Sequence, residues 1–539
     1  MDKKLVVLKN NERAASSKAR RLRDLAPDHP IEITVELRGP ALPEPGNKPL
    51  SKAAFEKKFG AKPADAAKVS KVLAGFGLRT DEVCLATRSL RISGSSEQIE
   101  AAFKPGLGIY EYSTKGRGEF RGRQGDLHVP AALDKIVLGV FGLDERRVTR
   151  RDDEGPLAAR ASNEPALRYR PHRPLTAVDI EKRYNFPEGD GAGQHIAIAE
   201  FGGAFLLADL KAYCDRQKRR MPRITNVYDG LEPDFSKADI DSGSINQEGF
   251  AMESMMDIEI IAGLCPRSNI TVYWATQSQK GWTDMLMSVF KAVPLPVALS
   301  ISWGGSEDKG DFSPAAVTAI NLRLKALAHL GVTVCVASGD NGSSGGVFDD
   351  DAHVQFPASS PYVLAVGGTM LKGTNEAAWW VKPGRQGNGG GASGGGVSRL
   401  FDRPQWQQEL QIDSVNEGTQ KGRIVPDVAA LAGSPEYETV VEGVAQAGGG
   451  TSGAAPLWAA LIARVNARLP PGKQQRFLTP LLYQKVDGEP RGSLVCRDIS
   501  DGTNNTSSPL PGKGYTVGSG YDAVTGWGAP DGMALLKSL

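Results

Sequence analysis

The chain has 539 residues, too many for one ordinary hydrophobic core, so two or more domains are expected. Its 64 basic and 62 acidic residues leave a formal charge of +2, which gives no electrostatic reason to expect a nucleic-acid or membrane partner. The apolar run at 454–463 is far shorter than the ~20 residues that span a bilayer. The composition therefore indicates a globular protein of several domains.

The amino-terminal region, residues 1–145, mixes short strand-like and helical patterns. Such a mixture over this length predicts a compact α+β domain. The predicted elements are strands at 31–37, 82–89 and 108–113, a further apolar segment at 136–143, and helices at 51–59 and 64–76.

Residues 146–174 are highly charged and lack periodic apolar residues. This composition predicts an exposed linker that proteases can cleave. A nucleic-acid-binding tail is the alternative, but acidic residues are interleaved with the basic ones.

From residue 175 onward, nearly continuous apolar strands alternate with helical patterns. This alternation predicts an α/β domain with a parallel sheet covered by helices on both faces, whose chemistry collects beyond the carboxyl ends of the strands. The predicted elements are strands at 195–201, 270–274, 297–302 and 332–337, and helices at 283–293 and 314–330.

The five cysteines are widely spaced and contain no C-x-x-C pair, which argues against a disulfide framework and against a zinc site. We expect buried free thiols at Cys84, Cys214, Cys265, Cys335 and Cys496. The apolar run at 5–8 is too short for the apolar core of a secretory signal, so the sequence predicts no export signal.

One serine, Ser452, lies among small residues in the segment GTSGAAP at 450–456, directly before an apolar run. The pattern predicts a tight turn into a buried helix whose N-terminal N–H groups favour developing negative charge. Such a serine suits the nucleophile of an acyl-transfer enzyme, which needs a base. None of the six histidines is followed by glycine, so the His-Gly-Thr setting of subtilisin-like enzymes is missing and another base is expected.

Three acidic residues are candidates for that chemistry. Glu253 and Asp257 are four positions apart, which places both carboxylates on one face of a helix. They are either a solvated helix face or a general base oriented by a second carboxyl group that shares its proton. Asp340 directly follows a predicted buried strand, where active-site residues are expected, although Asp-Asn-Gly is also ordinary turn chemistry.

These residues belong to a set of motifs that resembles the sedolisins, the serine-carboxyl peptidases, and most of all their kumamolisin branch. The motif E-x-x-x-D-I-E is at 253–259, S-x-S-W-G-G at 300–305 and G-D-x-G at 339–342, and further matches follow at 362–369, 393–398 and 426–430. The nucleophile motif S-G-T-S-x-x-x-P carries Gly449 in place of its first serine. Each motif is weak by itself, but seven in family order are specific.

The resemblance implies a subtilisin-like peptidase domain over 175–539 and an activation propeptide over 1–145. The implied catalytic residues are Ser452 as nucleophile, Glu253 as base, Asp257 as the carboxyl group that positions the base, and Asp340 as the oxyanion stabiliser. Glu200 and Trp303 match residues that extend the hydrogen-bond network in this branch. The implied enzyme is an extracellular zymogen that acts on proteins or peptides, is inhibited by its own propeptide and removes it by autocatalytic cleavage.

The resemblance also implies a calcium site near the C-terminus. Carboxylates and converging backbone carbonyls are the hard oxygen ligands that calcium prefers. The implied ligands are Asp498, Ile499, Gly518, Gly520 and Asp522.

The carboxylate base predicts activity at acid pH. Glutamate, with a reference pKa of about 4.3, is ionised where histidine, at about 6.5, is protonated and useless as a base. Asp340 can donate to an oxyanion only while protonated, so activity requires one acid ionised and the other neutral, and we expect a bell-shaped profile that peaks below neutrality. Two alternatives stay open: a Ser-His-Asp peptidase using His195 or His353, and a catalytically inactive calcium-binding homologue.

Overall fold

The computed structural model describes residues 4–16, 19–113, 118–148, 173–232 and 245–539, apart from 309, 348, 383, 385, 387–389, 419–420, 471, 475 and 507–512, and describes only the backbone at 245–251. The chain divides into two compact units. Unit 1 contains Met1–Val148, Ala275–Lys291 and Gly310–Leu330; unit 2 contains Thr149–Trp274, Ala292–Lys309 and Gly331–Leu539. The linker predicted at 146–174 lies almost entirely outside the described residues.

The helices follow the apolar periodicity of the sequence closely. The helices predicted at 51–59, 64–76, 283–293 and 314–330 are present, and their ends agree within four residues. The described α-helices are Lys52–Phe59 (α1), Pro63–Ala74 (α2), Ser96–Phe103 (α3), Ala177–Arg183 (α4), Leu207–Arg216 (α5), Ile245–Leu264 (α6), Gln279–Lys291 (α7), Pro314–His329 (α8), Thr451–Arg468 (α9), Thr479–Tyr483 (α10), Arg491–Val495 (α11) and Gly532–Ser538 (α12).

The strands are more numerous than the apolar runs suggested, because many are short. The described strands are Leu5–Val7 (β1), Ala19–Asp24 (β2), Pro30–Leu37 (β3), Arg79–Cys84 (β4), Ser89–Ser95 (β5), Gly108–Tyr112 (β6), Glu119–Gly122 (β7), His128–Pro130 (β8), Val137–Phe141 (β9), His195–Glu200 (β10), Arg223–Asp229 (β11), Asn269–Ala275 (β12), Ala298–Ile301 (β13), Gly305–Ser306 (β14), Thr333–Ala337 (β15), Gln355–Phe356 (β16), Leu364–Lys372 (β17), Asn375–Ala378 (β18), Trp380–Val381 (β19), Gly391–Ala392 (β20), Gly396–Asp402 (β21), Gly422–Val425 (β22), Val428–Leu431 (β23), Tyr437–Val441 (β24), Val444–Gly448 (β25), Lys485–Val486 (β26), Glu489–Pro490 (β27), Cys496–Arg497 (β28) and Ala529–Pro530 (β29).

One predicted strand, at 82–89, is wrong. The segment contains the end of β4, a turn and the first residue of β5, and the two strands pair antiparallel. Arg88, with φ of 61°, is in the left-handed region, where the chain reverses. Apolar content alone did not reveal this reversal.

Unit 1 is organised around an antiparallel sheet with the strand order β4-β5-β3-β9. Alternate residues of β3 point to opposite faces, so Ile33 and Val35 enter the core that the unit's own helices complete. The other face of β3 is also buried, because the helices of this unit that come from later in the chain cover it. Thr34 donates to Asp284 on α7 at 2.8 Å.

Unit 2 is built on an eight-stranded sheet in which β12, β10, β13, β15, β17 and β23 run parallel. The strand β18 pairs antiparallel with β17 at one edge. The long helix α9 contacts β10, β13, β15, β17 and β23, and it also packs against α6. Nearly every residue from Thr451 to Asn466 is buried. The prediction of a mostly parallel sheet covered by helices is confirmed.

The cysteines are free thiols, as expected, and four are buried, whereas Cys84 on β4 is only partly buried. No described helix combines the length and the apolar character that a membrane span requires.

Candidate active site

The candidate residues lie at one edge of the parallel sheet in unit 2. Glu200 ends β10, Ser302 follows β13, and Asp340 follows β15. These strands are neighbours in the order β10-β13-β15 and run parallel, so their carboxyl ends meet at the same edge. This edge is where the chemistry of an open α/β sheet is expected.

The serine turn has the predicted form. Ser452 is the second residue of α9, is 7% exposed, and follows the N-cap residue Gly450, whose φ is 95°. A Cβ atom at position 450 would lie 2.5 Å from Oδ2 of Asp340. Glycine is therefore required at this position by its left-handed backbone and by the close approach of the Asp340 carboxyl group.

The Asp340 carboxyl group is held by the residue next to the serine. The backbone N–H of Thr451 donates to Oδ1 of Asp340 at 2.8 Å, and the Thr451 hydroxyl donates to the same oxygen at 2.7 Å. The N–H of Gly339 donates to the Thr451 hydroxyl at 3.1 Å. Asp340 is 7% exposed.

Ser302 connects Asp257 with the serine turn. Its hydroxyl lies 2.6 Å from Oδ2 of Asp257 and 3.2 Å from the carbonyl oxygen of Ser452. That carbonyl would normally accept the N–H of the residue four positions later, but this residue is Pro456, which has no N–H. The proline inside α9 thereby leaves the Ser452 carbonyl available to the Ser302 hydroxyl.

Glu253 and Asp257 lie one turn apart on α6, which packs against α9. Glu253 is 2% exposed and Asp257 is fully buried, so the interpretation as a solvated helix face is wrong. Residues four positions apart share one face of a helix, so the structure buries both carboxyl groups on the same face of α6.

Glu200 is also fully buried and accepts two hydrogen bonds at Oε2. The indole N–H of Trp303 and the hydroxyl of Ser254 each lie 3.1 Å from this oxygen. The predicted pair Glu200 and Trp303 is thus in direct contact, and Ser254 places this group beside Glu253 along α6.

The two histidines considered as alternative bases are engaged elsewhere. His195 begins β10, at the end of the strand opposite Glu200, and its ring nitrogens contact the carbonyl of Pro294 and the hydroxyl of Thr271, each at 2.8 Å. His353 is bound through both ring nitrogens by Asp308 at 2.6 Å and Asp349 at 2.7 Å.

Sequence reasoning assigned no role to Ser254, Ser302 or Thr451, although all three lie within or beside the quoted motifs. It also missed Glu259, the last acid of E-x-x-x-D-I-E. Burial raises the pKa of Glu259 to about 9, and its Oε2 accepts the N–H of Val440 at 2.9 Å. Each of these residues is a polar residue in an otherwise apolar motif, which could have marked it as a candidate. Its hydrogen-bond partner is distant in sequence, so the sequence alone could not assign its contact.

The C-terminal loop links four residues of the implied calcium site through hydrogen bonds, and Ile499 is next to one of them, Asp498, in the chain. The N–H of Gly520 donates to Asp498 at 2.9 Å and that of Gly518 to Asp522 at 3.4 Å. Burial raises the pKa of Asp522 to about 6, and no described Lys or Arg pairs with either carboxylate. Because a bound cation would offset the buried negative charge, the donor set fits calcium, with two carboxylates completed by backbone carbonyls. In the described residues no group of three or more His, Cys, Asp or Glu side chains could hold a metal ion.

Two family models match the chain. Residues 18–146 match the activation domain of pro-kumamolisin, and residues 243–490 match the subtilase family. The first match covers residues 18–145 of the region predicted to be a propeptide and extends one residue beyond it.

The chain is 36% identical over 510 residues to kumamolisin of Bacillus sp. (strain MN-32), covering 91% of this chain and 86% of that protein. It is 26% identical over 581 residues to tripeptidyl-peptidase sed5 of Aspergillus fumigatus, covering 96% and 94%. Tripeptidyl-peptidase 1 of Bos taurus is 30% identical over 403 residues, covering 68% and 65%.

Among solved structures, Pseudomonas sedolisin, a serine-carboxyl proteinase complexed with two molecules of pseudo-iodotyrostatin, superimposes with a TM-score of 0.55 at 25% identity. The superposition covers 68% of this chain and 98% of that one.

Proposed function

The chain belongs to the sedolisin family of serine-carboxyl peptidases, in its kumamolisin branch, and is a zymogen with the propeptide of that branch; from this premise we propose that it is an endopeptidase active at acid pH. The proposed nucleophile is Ser452, the base is Glu253, and Asp257 positions the base. The observation that carries the proposal is the cluster of buried acids around the Ser452 turn, where Asp257 reaches the nucleophile's backbone through Ser302.

In the proposed reaction, Ser452 Oγ attacks the carbonyl carbon of the scissile peptide while the Glu253 carboxylate takes the hydroxyl proton. The tetrahedral intermediate collapses as Glu253 returns the proton to the leaving amine, which produces an acyl-enzyme. Water then attacks the ester carbon as Glu253 accepts a proton from it, and Glu253 returns this proton to Ser452 Oγ as the acid product leaves. Asp257 supports Glu253 by sharing a proton with it, and Glu200 with Trp303 extends this network.

Asp340 is the proposed oxyanion stabiliser. Its carboxyl group lies against Gly450, directly before the nucleophile, and a neutral carboxylic acid donates a strong hydrogen bond to a developing oxyanion. Since Glu253 must be ionised and Asp340 neutral, the rate falls at both ends of the pH range. The expected maximum lies below neutrality.

The proposed domains are the propeptide over 1–145, the cleavable linker over 146–174 and the peptidase domain over 175–539. The match to the pro-kumamolisin activation domain supports an inhibitory propeptide that the enzyme removes itself. Proteins or peptides are the proposed substrates, and the family assignment supports an extracellular site of action.

Calcium is the proposed ion for the C-terminal loop, held by Asp498, Asp522 and the carbonyls of Ile499, Gly518 and Gly520. When bound, calcium supplies positive charge to a buried carboxylate and thereby stabilises the loop. The hydroxyl of Ser393 donates to the carbonyl of Val524 at 2.7 Å, so this loop is joined to the glycine-rich segment at 393–396.

The test compares the full chain with Ser452→Ala and Glu253→Gln across acid and neutral pH. Loss of the propeptide and cleavage of an internally quenched peptide with a blocked N-terminus are followed together. Wild type alone should process and cleave, with a maximum at acid pH. A peptide with a free N-terminal tripeptide separates endopeptidase from tripeptidyl-peptidase activity, since only the former cleaves the blocked peptide.

Three results would count against the assignment. Maximum activity at about pH 8 would contradict a carboxylate base. Unchanged processing by Ser452→Ala would remove this serine from the mechanism. Loss of all activity after replacing both His195 and His353, in a chain that still folds, would favour the Ser-His-Asp alternative.

A further inference from the structure

We infer that Thr451 is a positioning residue that decides which oxygen of Asp340 donates to the oxyanion and sets the alkaline limit of activity. The inference rests on the proposed role of Asp340. It adds a residue directly before the nucleophile whose side chain never touches the substrate in the proposed reaction.

The hydroxyl of Thr451 has only one orientation that satisfies its neighbours. It accepts the N–H of Gly339 at 3.1 Å, so its own hydrogen points to Oδ1 of Asp340 at 2.7 Å. The Thr451 N–H points to the same oxygen at 2.8 Å. Thr451 is 1% exposed, so water does not compete for these contacts.

Two donors on Oδ1 make this oxygen an acceptor in either protonation state. When Asp340 is neutral, its proton is therefore on Oδ2, because a carboxylic acid has one O–H and one carbonyl oxygen. Oδ2 is the oxygen that lies against Gly450, where a Cβ atom would be 2.5 Å away. Thr451 thus presents the O–H group to the turn that carries Ser452.

The same two hydrogen bonds also favour the ionised carboxylate, since hydrogen bonding to the charged form stabilises it. Thr451 consequently confines the neutral, donating form of Asp340 to acid pH. Because ionised Asp340 cannot donate to the oxyanion, the hydrogen bonds that fix its donor oxygen also make activity fall at a lower pH.

Other acids of unit 2 can also shape the pH profile. Glu253 and Asp257 approach from α6, and Glu436 lies beside Gly449 with its pKa raised by burial. Glu307, near the strand β14, has a pKa raised to about 7 by burial. Replacing the Thr451 hydroxyl removes no charge from any of them, so a shift specific to that replacement reports on Asp340.

The test is Thr451→Val in the full chain, with Thr451→Ser as the conservative variant. Thr333→Val is the matched control, because the buried Thr333 hydroxyl also both donates, to the Arg476 carbonyl at 2.9 Å, and accepts, from the Leu478 N–H at 3.0 Å, but lies at the start of β15. For Thr451→Val we expect the alkaline limb of kcat to move up by about one pH unit and kcat to fall about tenfold with little change in KM. Thr451→Ser and Thr333→Val should retain the wild-type limb.

An unchanged alkaline limb in an active Thr451→Val enzyme, or an equal shift in Thr333→Val, would overturn the inference. Thr451→Ala provides a second variant without the hydroxyl; if both fail to fold while Thr333→Val folds, Thr451 acts in folding and the inference is wrong. Asp340→Asn tests the proposed function separately. Its amide cannot ionise, so a wild-type alkaline limb in that variant would reject Asp340 as the titrating donor, whatever Thr451 does.

Discussion

The hydroxyl of Ser302 lies 2.6 Å from Oδ2 of Asp257, and the same hydroxyl reaches the Ser452 carbonyl at 3.2 Å. The single hydrogen of this hydroxyl can be donated to Asp257 Oδ2 or to the Ser452 carbonyl, and Ser302 thereby links the Asp257 carboxyl group to the backbone of Ser452. The contact is possible because Pro456 has no N–H to occupy that carbonyl.

We expect Ser302→Ala to lower kcat by about tenfold with little change in KM, since it removes a hydrogen bond that positions Asp257 but no group that contacts substrate. Steady-state kinetics at the pH of maximum activity measure the effect. Ser300→Ala is the matched control: Ser300 is buried on β13, which ends just before Ser302, and its hydroxyl forms no hydrogen bond within the described residues. Equal losses in both variants would contradict a positioning role for Ser302.

The second prediction concerns His353, whose pKa is raised by its contacts with Asp308 and Asp349 against the opposing effect of burial. Carboxylates accept but do not donate when ionised, so both ring nitrogens must carry protons to bond them. A raised pKa means that this stabilisation is complete below the unfolded pKa of about 6.5 and is lost as pH rises through the folded value. His353→Gln should therefore lower stability by about 2 kcal/mol at acid pH and by less at alkaline pH.

Urea denaturation of the Ser452→Ala chain, which avoids self-digestion, measures this difference. The control is His195→Gln, because burial lowers the pKa of His195. Its neutral form is favoured in the folded state, so its replacement should be less harmful at acid pH than at alkaline pH. The same pH trend in both variants would contradict the prediction.

The third prediction concerns the ion pair between Arg323 on α8 and Glu36 on β3, 2.7 Å apart with side chains 2% and 1% exposed. Burial raises the pKa of Glu36 from 4.5 to about 7 despite the neighbouring guanidinium. Arg323→Met leaves this carboxyl group unpaired, which should destabilise unit 1 by about 3–5 kcal/mol where Glu36 is ionised. The loss should be small below about pH 7, because Glu36 is then neutral with or without Arg323 and a neutral acid costs less free energy to bury.

Urea midpoints in the Ser452→Ala background at acid and alkaline pH test this expectation. Adding Glu36→Leu to Arg323→Met removes the unpaired carboxyl group and should restore most of the stability at alkaline pH. A loss in Arg323→Met that is independent of pH would show that Glu36 is not the cause.

The fourth prediction concerns the proposed calcium site. Chelation with EGTA should lower the Tm of the Ser452→Ala chain by about 5 °C, because a ligand that binds only the folded state stabilises it. Asp522→Asn should lower the Tm similarly and abolish the effect of EGTA. Asp501→Asn is the control, since Asp501 is exposed and pairs with Lys372 at 2.8 Å. If EGTA does not change the Tm of the Ser452→Ala chain, calcium is not bound at this site and the proposal is wrong.

The sequence by itself determined the α/β class and the family. Local patterns sufficed for these conclusions, because each pattern depends only on the burial of the element that carries it. The patterns are the alternation in β3, the continuous apolar residues in β10 and β15, and the small residues before α9. The strand predicted at 82–89 failed because a turn at Arg88 leaves no mark in apolar content.

Only the tertiary structure decided the contacts of the candidate site. Thr451 meets Asp340 across 111 positions, and Ser302 meets Asp257 across 45. Each pair joins a residue that follows a strand to a residue on a helix, so it depends on where α6 and α9 pack in unit 2, a global property of the fold that periodicity does not encode. The motifs therefore identified which residues belong to the candidate site, whereas the packing of α6 and α9 in unit 2 decided which hydroxyl faces which carboxyl group.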